Sequence, residues 1–509
     1  MMDTAQVEAL SSVLAQYNTG FRKHPRLVKS FEMLGREWTG RSPGEGQPGF
    51  GDMAVLELQK ALATASGIAG STVALGDATP IRLENLDGTM TAVLFQESHL
   101  KVFASLPRVP SAQPLYQWIR EKGYGTERGA AGFREGGAPQ VGVSAWERGT
   151  ILTKYLGVRR GYTHQLLMTG QMGGTLVDPV ARENRNGTRQ LLAMIERQVV
   201  FGDKAIKDAD GNEVHYDGIV RQMELSSVAA TNIKDLAGRP LNFEDLENAG
   251  EQFVTQGKLL NFDMIRTFWK PRVLSDLAKL KLQAERRLMG QDLPEGYRPG
   301  TPLNGYHTQH GDFVFDESIF LDPVEDGKPL TDAGDPGSPT APVAPTTAAA
   351  GATAGSKLEA GTYWYAYSSF NDKGESLAVA SASGQAAVDT DQITVTGTRT
   401  GLSATGFRVY RGTTAVIADM RWIRTIADPG SGTTFTIAVD KNEWRPGHGF
   451  GMIINMRDED VVLAQLAPLI KFPLAIVNTT MEFLLLLYHV LAIKAPERVI
   501  VFKNIGLRA

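Results

Sequence analysis

Hydrophobic positions recur at helical spacing most clearly around residues 179–201. Asp178 is a good N-cap, Gly202 suits the C-terminal cap, and Gly187 is expected to bend or weaken the helix between them. The apolar residues that share one face of this segment are Leu191, Leu192, Ile195 and Val199. This spacing predicts a helix that is roughly 34 Å long, at about 1.5 Å per residue.

Other segments show helical or continuous apolar patterns. Helical spacing over 243–257 and from Pro271 onward predicts two more helices, and the run RVIVF at 498–502 predicts a strand. The longest apolar run, FLLLLYHVLAI at 483–493, is too short to span a bilayer, so we expect it in a buried core. Together these elements predict an α+β fold.

A different pattern begins in the second half of the chain. Residues 336–356 are rich in Pro, Ala, Thr and Gly and carry no charge, which predicts a linker or a first loose strand. Between 357 and 440, turn residues separate runs such as QITVT, FRVYRG and TTFTIAV, a pattern typical of a small β-sandwich. Because the earlier α/β pattern resumes afterwards, we expect residues 336–444 to be an insertion.

Three tyrosines alternate along one strand of this region. Tyr363, Tyr365 and Tyr367 point to the same face of an extended strand. We interpret them mainly as one side of the sandwich core. The alternative interpretation is a surface face that binds a ligand such as a sugar.

Composition excludes several classes of protein. The 509 residues exceed what one compact core usually holds, and a formal net charge of −4 does not indicate a nucleic-acid binder. The absence of cysteine removes disulfide scaffolds, thiolate metal sites and cysteine nucleophiles. The opening MMDTAQVEALSS has neither a basic start nor an apolar run, so we expect no secretory signal and no membrane segment.

Candidate catalytic and metal-binding residues are few. Only His307 and His310 cluster, with Asp312 nearby, which makes a weak candidate for a metal site in a loop-like segment. No HExxH, Gly-x-Ser-x-Gly or dinucleotide motif is present. We therefore predict that the protein is not an enzyme and has no catalytic residues and no cofactor, and we interpret these histidines as structural or surface residues.

Glycine and arginine dominate the segment from Gly123 to Gly149. Its charges come in mixed pairs, in which Arg128, Arg134 and Arg148 each stand beside a glutamate. A long loop in an ordered domain is usually functional or braced by a neighbour. Two interpretations stay open at this point: a loop that lies across an adjoining subunit, or a mobile solvated loop.

The order of these features resembles the major capsid proteins of tailed bacteriophages, whose fold is shared with encapsulins. GFREGGAPQVG (132–142) is similar to the start of the family's extended loop, and TKYLGVRRGYTHQLL (153–167) to the strand that returns from it. The segment 178–202 looks like the family's long spine helix. MIRTFWKPRVLSDLAKL (264–280) resembles an axial-domain strand and helix, and VLAIKAPERVIVFKNIG (490–506) the closing strands of the peripheral domain.

The resemblance implies an α+β phage major-capsid-protein fold that carries an inserted all-β immunoglobulin- or fibronectin-like sandwich. Its parts are an N-terminal arm, a shell domain in two pieces, and the insertion. The expected bounds are 1–79 for the arm, 80–335 and 445–509 for the two pieces of the shell domain, and 336–444 for the insertion. Within the shell domain, the extended loop is expected at about 123–164 and the spine helix at about 179–201. The axial domain is expected to begin at about 220 and to include 450–485.

The implied function is that of a major capsid protein that self-assembles into the pentamers and hexamers of an icosahedral phage head. The head would enclose double-stranded DNA without sequence-specific contacts, and the inserted domain would lie on its outer face. Expected partners are further copies of the chain, portal and scaffolding proteins, and a decoration protein. Assembly in the host bacterial cytoplasm leads to a place in the virion without secretion. The alternatives are an encapsulin-like compartment or, from another class, a carbohydrate-binding or adhesion protein.

If the family's mechanism carries over, side chains in and near the loop hold neighbouring subunits. The expected assembly residues are Arg128, Arg134, Glu135, Arg148, Lys154, Arg159 and Arg160. Some relatives also form a lysine–asparagine isopeptide bond between subunits. The candidates for such a bond in this sequence are Lys154 and Asn504.

Overall fold

The structure is a computed structural model, and part of the chain is described. The described residues are 97–125, 132–138, 141–171, 178–208, 210–260, 262–289, 303–399, 403–430, 434–474 and 479–507. The predicted arm at 1–79 and the candidate assembly residue Arg128 lie outside these ranges.

Helices and strands are mixed along the described chain, as an α+β fold requires. The helices are α1 (Val102–Ser105), α2 (His164–Gln171), α3 (Pro179–Phe201), α4 (Ile219–Leu225), α5 (Ala229–Asn232), α6 (Phe243–Thr255) and α7 (Pro271–Met289). The strands of the first half are β1 (Arg108–Pro110), β2 (Leu115–Gly123), β3 (Ala145–Leu152), β4 (Lys154–Thr163), β5 (Ile233–Asp235), β6 (Phe262–Trp269), β7 (Gly305–Thr308) and β8 (Gly311–Glu317). Within the described ranges, no helix is long and apolar enough to cross a membrane.

The second half of the chain is built almost entirely from strands. They are β9 (Thr346–Ala350), β10 (Gly361–Phe370), β11 (Val379–Ala380), β12 (Gln385–Ala387), β13 (Gln392–Thr398), β14 (Gly406–Gly412), β15 (Arg421–Ala427), β16 (Thr434–Asp440), β17 (Gly449–Asn455), β18 (Val461–Pro473), β19 (Thr480–Ile493) and β20 (Val499–Ile505).

The helix expected after Asp178 is present as α3. The Asp178 carboxylate accepts a hydrogen bond from the Val180 N–H at 2.9 Å, which satisfies one of the free donors at the start of the helix. Gly187 does not interrupt the helix. A Cβ at that position would lie 2.9 Å from Leu485 Cδ1 and 3.0 Å from Arg160 Cγ, so the glycine lets α3 approach the sheet closely. The predicted apolar stripe packs on that sheet: Leu191, Ile195 and Val199 are buried and Leu192 is partly buried.

A four-stranded sheet, here called the helix-backed sheet, lies against α3. Its strand order is β1-β18-β19-β4, in which β1 is parallel to β18 and the other neighbours are antiparallel. The apolar run 483–493 forms most of β19, and Phe483, Leu485 and Leu487 are buried in the core that includes the α3 stripe. The prediction that this run is buried core is confirmed.

A six-stranded sheet has the order β5-β20-β17-β6-β8-β7. The helices predicted over 243–257 and from Pro271 are α6 and α7, and both contribute to its core. Phe253 of α6 and Leu277 of α7 are fully buried in the cluster that also contains Phe313 and Phe502 of the sheet. The sequence therefore placed these helices correctly, and the strand predicted at RVIVF is part of β20.

The division of the C-terminal strands between the two sheets differs from the prediction. The sequence analysis assigns 450–485 to the axial domain and 490–506 to the closing strands of the peripheral domain. In the structure, β18 and β19 belong to the helix-backed sheet, whereas β20 pairs with β17 in the six-stranded sheet that contains β6. The assignment is wrong because these strands are all strongly apolar, and an apolar pattern does not identify the strand with which a segment pairs.

Residues 346–440 form two facing sheets, here called the sandwich. One sheet has the order β11-β10-β14-β15, with β12 also paired to β10, and the other has the order β16-β13-β9. Side chains from both sheets fill the space between them, including Phe407 and Val409 from the first and Ile393 and Val395 from the second. The segment 336–356 therefore contains a paired strand, β9, rather than a linker alone.

The three tyrosines of β10 are mainly core residues. Tyr365 and Tyr367 are 0% exposed, and Tyr363 is partly buried with the Arg411 guanidinium over its ring at 5.1 Å. The Tyr365 hydroxyl donates to the Asp440 carboxylate at 2.8 Å. The alternative of a surface ligand face is wrong, because the second sheet of the sandwich covers this face of β10.

Candidate assembly surface

A two-stranded hairpin lies in the sequence between β1 and β4 of the helix-backed sheet. Its strands β2 and β3 pair from Leu115 opposite Leu152 to Gly123 opposite Ala145. The predicted loop of about 123–164 is therefore misplaced: pairing starts at Leu115, and the residues from Lys154 onward belong to β4. Glycine and charged residues marked the segment between β2 and β3 in the sequence. The start of the hairpin is defined only by the pairing of the two strands.

Large apolar side chains on this hairpin face solvent. Val141 is 85% exposed, Ile119 71% and Trp146 65%. Tyr124, Phe133 and Val143 are exposed as well, and they belong to the same stretch of chain. Single exposed apolar residues are ordinary on a protein surface, but several large ones within one stretch of chain make that stretch a candidate for contact with another molecule. We define these six residues as the hairpin patch.

Ion pairs join the two strands of the hairpin to each other and to the segment before β20. Arg120 of β2 binds Glu147 of β3 at 2.9 Å and Glu497, just before β20, at 3.1 Å. Lys122 also reaches Glu147 at 2.8 Å. The hydrogen bond from Lys122 is the main reason why the pKa of Glu147 lies below its usual range. Two of these pairs join the strands of the hairpin, and the pair of Arg120 and Glu497 ties the hairpin to the segment before β20.

Three of the predicted assembly residues are exposed on or near the hairpin. Arg134 and Glu135 are exposed near the distal end of the hairpin. Arg148 is exposed on β3 and donates to the side-chain oxygen of Gln117 on β2. These three exposed charged residues lie in the same part of the chain as the hairpin patch, and their assembly role stays a prediction.

Arg159 and Arg160 lie on β4 and have partners in the same subunit. Arg159 forms an ion pair with Glu482 of β19. Arg160 reaches Glu183 of α3 at 3.5 Å and donates to Gln190 at 2.6 Å. Their main contacts thus tie α3 and β19 to β4, which is a different arrangement from a free contact surface.

Lys154 is buried at the start of β4, where the hairpin joins the helix-backed sheet. Its ammonium donates to the Glu213 carbonyl at 2.6 Å and lies 3.6 Å from the Glu213 carboxylate. Asn504 is also buried: its amide nitrogen donates to Asp235 and Glu443, and its oxygen accepts from the Arg445 N–H. Both side chains are engaged inside their own subunit, which argues against an isopeptide bond between Lys154 and Asn504.

A buried polar group lies under the same junction. His489 of β19 stands opposite Lys154 and is fully buried, with Nε2 3.0 Å from the Tyr216 hydroxyl. Burial lowers the pKa of His489 to about 4, and its Nδ1 finds no hydrogen-bond partner among the described residues. The ring is therefore neutral near pH 7, packed between Phe103 and Tyr216.

Glu196 of α3 supports the same region from inside. Its buried carboxylate accepts three backbone N–H groups, from Lys101 at 3.1 Å, Val102 at 2.7 Å and Phe103 at 2.8 Å. Burial nevertheless raises the pKa of Glu196 above its usual value, because the hydrogen bonds only partly offset the loss of solvent. The carboxylate therefore caps the start of α1 and fixes α1 to α3.

The histidine pair lies on the hairpin of β7 and β8. His307 and Asp312 are paired across the hairpin of β7 and β8, and their side chains are hydrogen-bonded and exposed. The segment is thus a β-hairpin with His310 in its turn, not the loop that the sequence indicates. Among the described residues, no group of three metal-ligating side chains of the His, Cys, Asp or Glu type comes together.

Sequence reasoning missed the hairpin patch and the buried polar group. The patch was hidden because its apolar residues are diluted by glycine and charge, so no window of the segment is hydrophobic. A signal was present in Val141 and Val143, which alternate with small residues towards the start of β3, and in Trp146 within that strand. For Glu196 and His489 the sequence carried no such signal, since their partners are distant in the chain.

Comparison with known proteins gives relatives of one kind. The chain is 23% identical over 477 residues to the major capsid protein of Staphylococcus phage S25-3, covering 90% of this chain and 97% of the relative. It is 22% identical over 481 residues to the major capsid protein of Staphylococcus phage K, with the same coverage of both chains. No protein-family model matches the chain.

Among solved structures, the chain is similar to the capsid of cyanophage P-SCSP1u. The TM-score is 0.40 at 9% identity, covering 86% of this chain and 97% of that chain. The sequence relatives, which are matched along nearly their whole length, carry the relationship. They are named as structural proteins of phage capsids, and their names indicate no enzymatic family.

Proposed function

The chain is related to phage major capsid proteins along nearly its whole length, and from that premise we propose that it builds the pentamers and hexamers of an icosahedral phage head. The head encloses double-stranded DNA and is assembled in the cytoplasm of the host bacterium. A portal protein and a scaffolding protein take part in assembly. No enzymatic step by this chain is needed.

The observation that carries the proposal is the hairpin patch. A chain that worked as a monomer would leave this apolar surface in water, at a cost of about 25 cal/mol for each Å². In a closed shell, the patch of one subunit would be covered by the next. Such a contact joins different surfaces of identical chains, and repeated contacts of this type close into rings and shells.

The sandwich fits the proposal as an immunoglobulin-like domain inserted in the shell and exposed on its outer face. Its two sheets enclose their own core, so the domain can project from the shell without support from neighbouring subunits. A decoration protein that binds the outer face is the partner that such a domain would meet.

The enclosed DNA requires weak rather than strong contacts. Each phosphate that a lysine or arginine neutralises adds salt-dependent affinity. A formal net charge of −4 over 509 residues gives no general attraction to DNA. The shell can therefore release its DNA without breaking a large set of ion pairs.

Electron microscopy of the purified chain, expressed with and without its neighbouring genes, tests the proposal. Closed shells or regular pentamers and hexamers are expected. The double variant Ile119→Asp and Val143→Asp places two charges in the hairpin patch and is expected to abolish particles, because buried unpaired charge is costly.

The matched control is Val388→Asp with Val416→Asp, which adds the same charge to exposed positions of the sandwich. This control should assemble like the unaltered chain. A uniform monomer of the unaltered chain under every condition, including with a scaffolding protein present, would contradict the proposed function.

A further inference from the structure

A cleft of about 330 Å³ lies where the sandwich meets the rest of the chain. The strand β15 and the segment leading into β17 form one side, and the start of α7 and the residues around 321–328 form the other. Clefts of this size at such junctions are common binding sites. The cleft is far in sequence from the hairpin patch, and the proposed function gives it no role.

Aromatic side chains line the bottom of the cleft. Trp422 and Trp444 contact each other edge to face, with ring centroids 5.6 Å apart. Phe201, the last residue of α3, lies 6.2 Å from Trp422, and Phe450 lies 5.9 Å from Trp444. Both tryptophans are only partly buried, so apolar ring surface in the cleft remains open to a ligand.

The charges around this surface are mostly positive. Five cationic side chains line the cleft together with two carboxylates, Asp322 and Asp326. Asp322 binds Lys270 at 2.5 Å, and Arg197 interacts electrostatically with both carboxylates. Asp322 is therefore already paired with a cation of the same chain.

Three cations of the cleft lack a carboxylate partner in the described part of the chain. Arg272 and Lys328 are exposed residues of the cleft lining. Arg421 is partly buried, and its guanidinium donates only to the carbonyls of Ala418 and Met420, at 3.0 and 2.8 Å. Carboxylates of a ligand would complete these three sites.

We propose that this junction cleft binds an acidic peptide segment of another protein, with its carboxylates at Arg272, Lys328 and Arg421 and an apolar side chain on Trp422 and Trp444. Tryptophan and arginine are the residues most enriched at the energetic centres of protein–protein interfaces, which favours a peptide over a small anion. Charge complementarity sets the choice of partner: an acidic surface is attracted and a basic one is repelled.

Calorimetric titration of the full chain tests the inference. The probes are a blocked hexapeptide Glu-Asp-Leu-Leu-Glu-Asp, its amide counterpart Gln-Asn-Leu-Leu-Gln-Asn, and inorganic phosphate. The acidic peptide should bind at least about tenfold more tightly than the amide peptide, and salt should weaken it. The double variant Arg272→Gln and Lys328→Gln should weaken acidic-peptide binding about fivefold to tenfold.

The control variant removes one arginine and one lysine from exposed positions of the sandwich outside the cleft, as Arg424→Gln with Lys373→Gln. It should change the affinity less than twofold. Equal affinity for both peptides, no binding of either peptide, displacement by an equal concentration of phosphate, or an unaffected Arg272→Gln and Lys328→Gln variant would each overturn the inference. Particle formation is scored separately, so failure to assemble and failure to bind are distinct results.

Discussion

The hairpin and the sandwich are both made of antiparallel strands, yet they treat their large side chains in opposite ways. Trp146 on the hairpin is 65% exposed, whereas Phe407 in the sandwich is 0% exposed. The sandwich has a second sheet to cover its apolar face, and the hairpin has none among the described residues. The sandwich is complete within a single chain, whereas the assembly contact that we propose would cover the exposed side chains of the hairpin.

This difference separates two contributions to stability. Apolar residues that are buried within the chain stabilise the subunit at any concentration. Apolar residues that are buried between chains stabilise only the assembly, and their contribution depends on subunit concentration. Substitutions in the two regions should therefore affect different measurements.

The largest effect is expected in the sandwich core. Phe407→Ala removes a ring whose centroid lies 4.8 Å from that of Phe435 and 6.1 Å from that of Tyr367. We expect the free energy of unfolding of the sandwich to fall by about 3–5 kcal/mol, through lost burial and the cavity that remains. Denaturant titration with limited proteolysis measures this loss. Val388→Ala, at an exposed position of the same sandwich, should change it by less than about 0.5 kcal/mol.

A somewhat smaller effect concerns pH and the root of the hairpin. The folded-state pKa of His489 is lowered to about 4 from 6.5, so its stabilising contribution is complete above pH 6.5 and is lost as the pH falls towards 4. The loss amounts to about 3 kcal/mol over that interval.

Unfolding midpoints at pH 7 and pH 4.5, compared between the unaltered chain and His489→Gln, check this prediction. Glutamine keeps a hydrogen-bonding group for Tyr216 but does not titrate, so the variant should lose less stability between the two pH values. An equal loss of stability in both chains would show that other groups control the acid response. The charged groups around His489 and Tyr216 are Glu196, Lys154 and Arg108.

The smallest effect on the isolated subunit is expected in the hairpin patch. Trp146→Ala removes a larger aromatic group than Phe407→Ala, but the indole is mostly in water. We expect the free energy of unfolding of unassembled subunits to change by less than about 0.5 kcal/mol, while the critical concentration for assembly rises. Light scattering against subunit concentration measures the second quantity. A loss of subunit stability as large as that of Phe407→Ala would remove the distinction between the two regions.

Much of the fold was accessible from the sequence because its local signals are strong. The N-cap Asp178 and the stripe from Leu191 to Val199 predicted α3, and alternation with turn residues predicted the strands of the sandwich. These features depend on residues that are close together in the chain. Local capping and hydrophobic periodicity are decided within one or two turns of helix or one strand.

The remainder depends on contacts between distant residues. The placement of β18 and β19 in the helix-backed sheet and of β20 in the six-stranded sheet could not be predicted, because these strands are all apolar and either sheet would bury them. Lys154, Arg159 and Arg160 were predicted as assembly residues, but the tertiary fold gives them the partners Glu213, Glu482 and Glu183 in their own subunit. A charged residue does not reveal from the sequence whether it faces its own subunit or a neighbour.

The passage from the hairpin to the helix-backed sheet has a mechanical consequence. A single buried residue, Thr153, separates β3 from β4, and its N–H donates to the Pro114 carbonyl at 2.7 Å. The hairpin is thus joined to β4 without a linker. In a shell, a force that a neighbouring subunit exerts on the hairpin would pass into β4. Through the close contact at Gly187, the force would also reach α3.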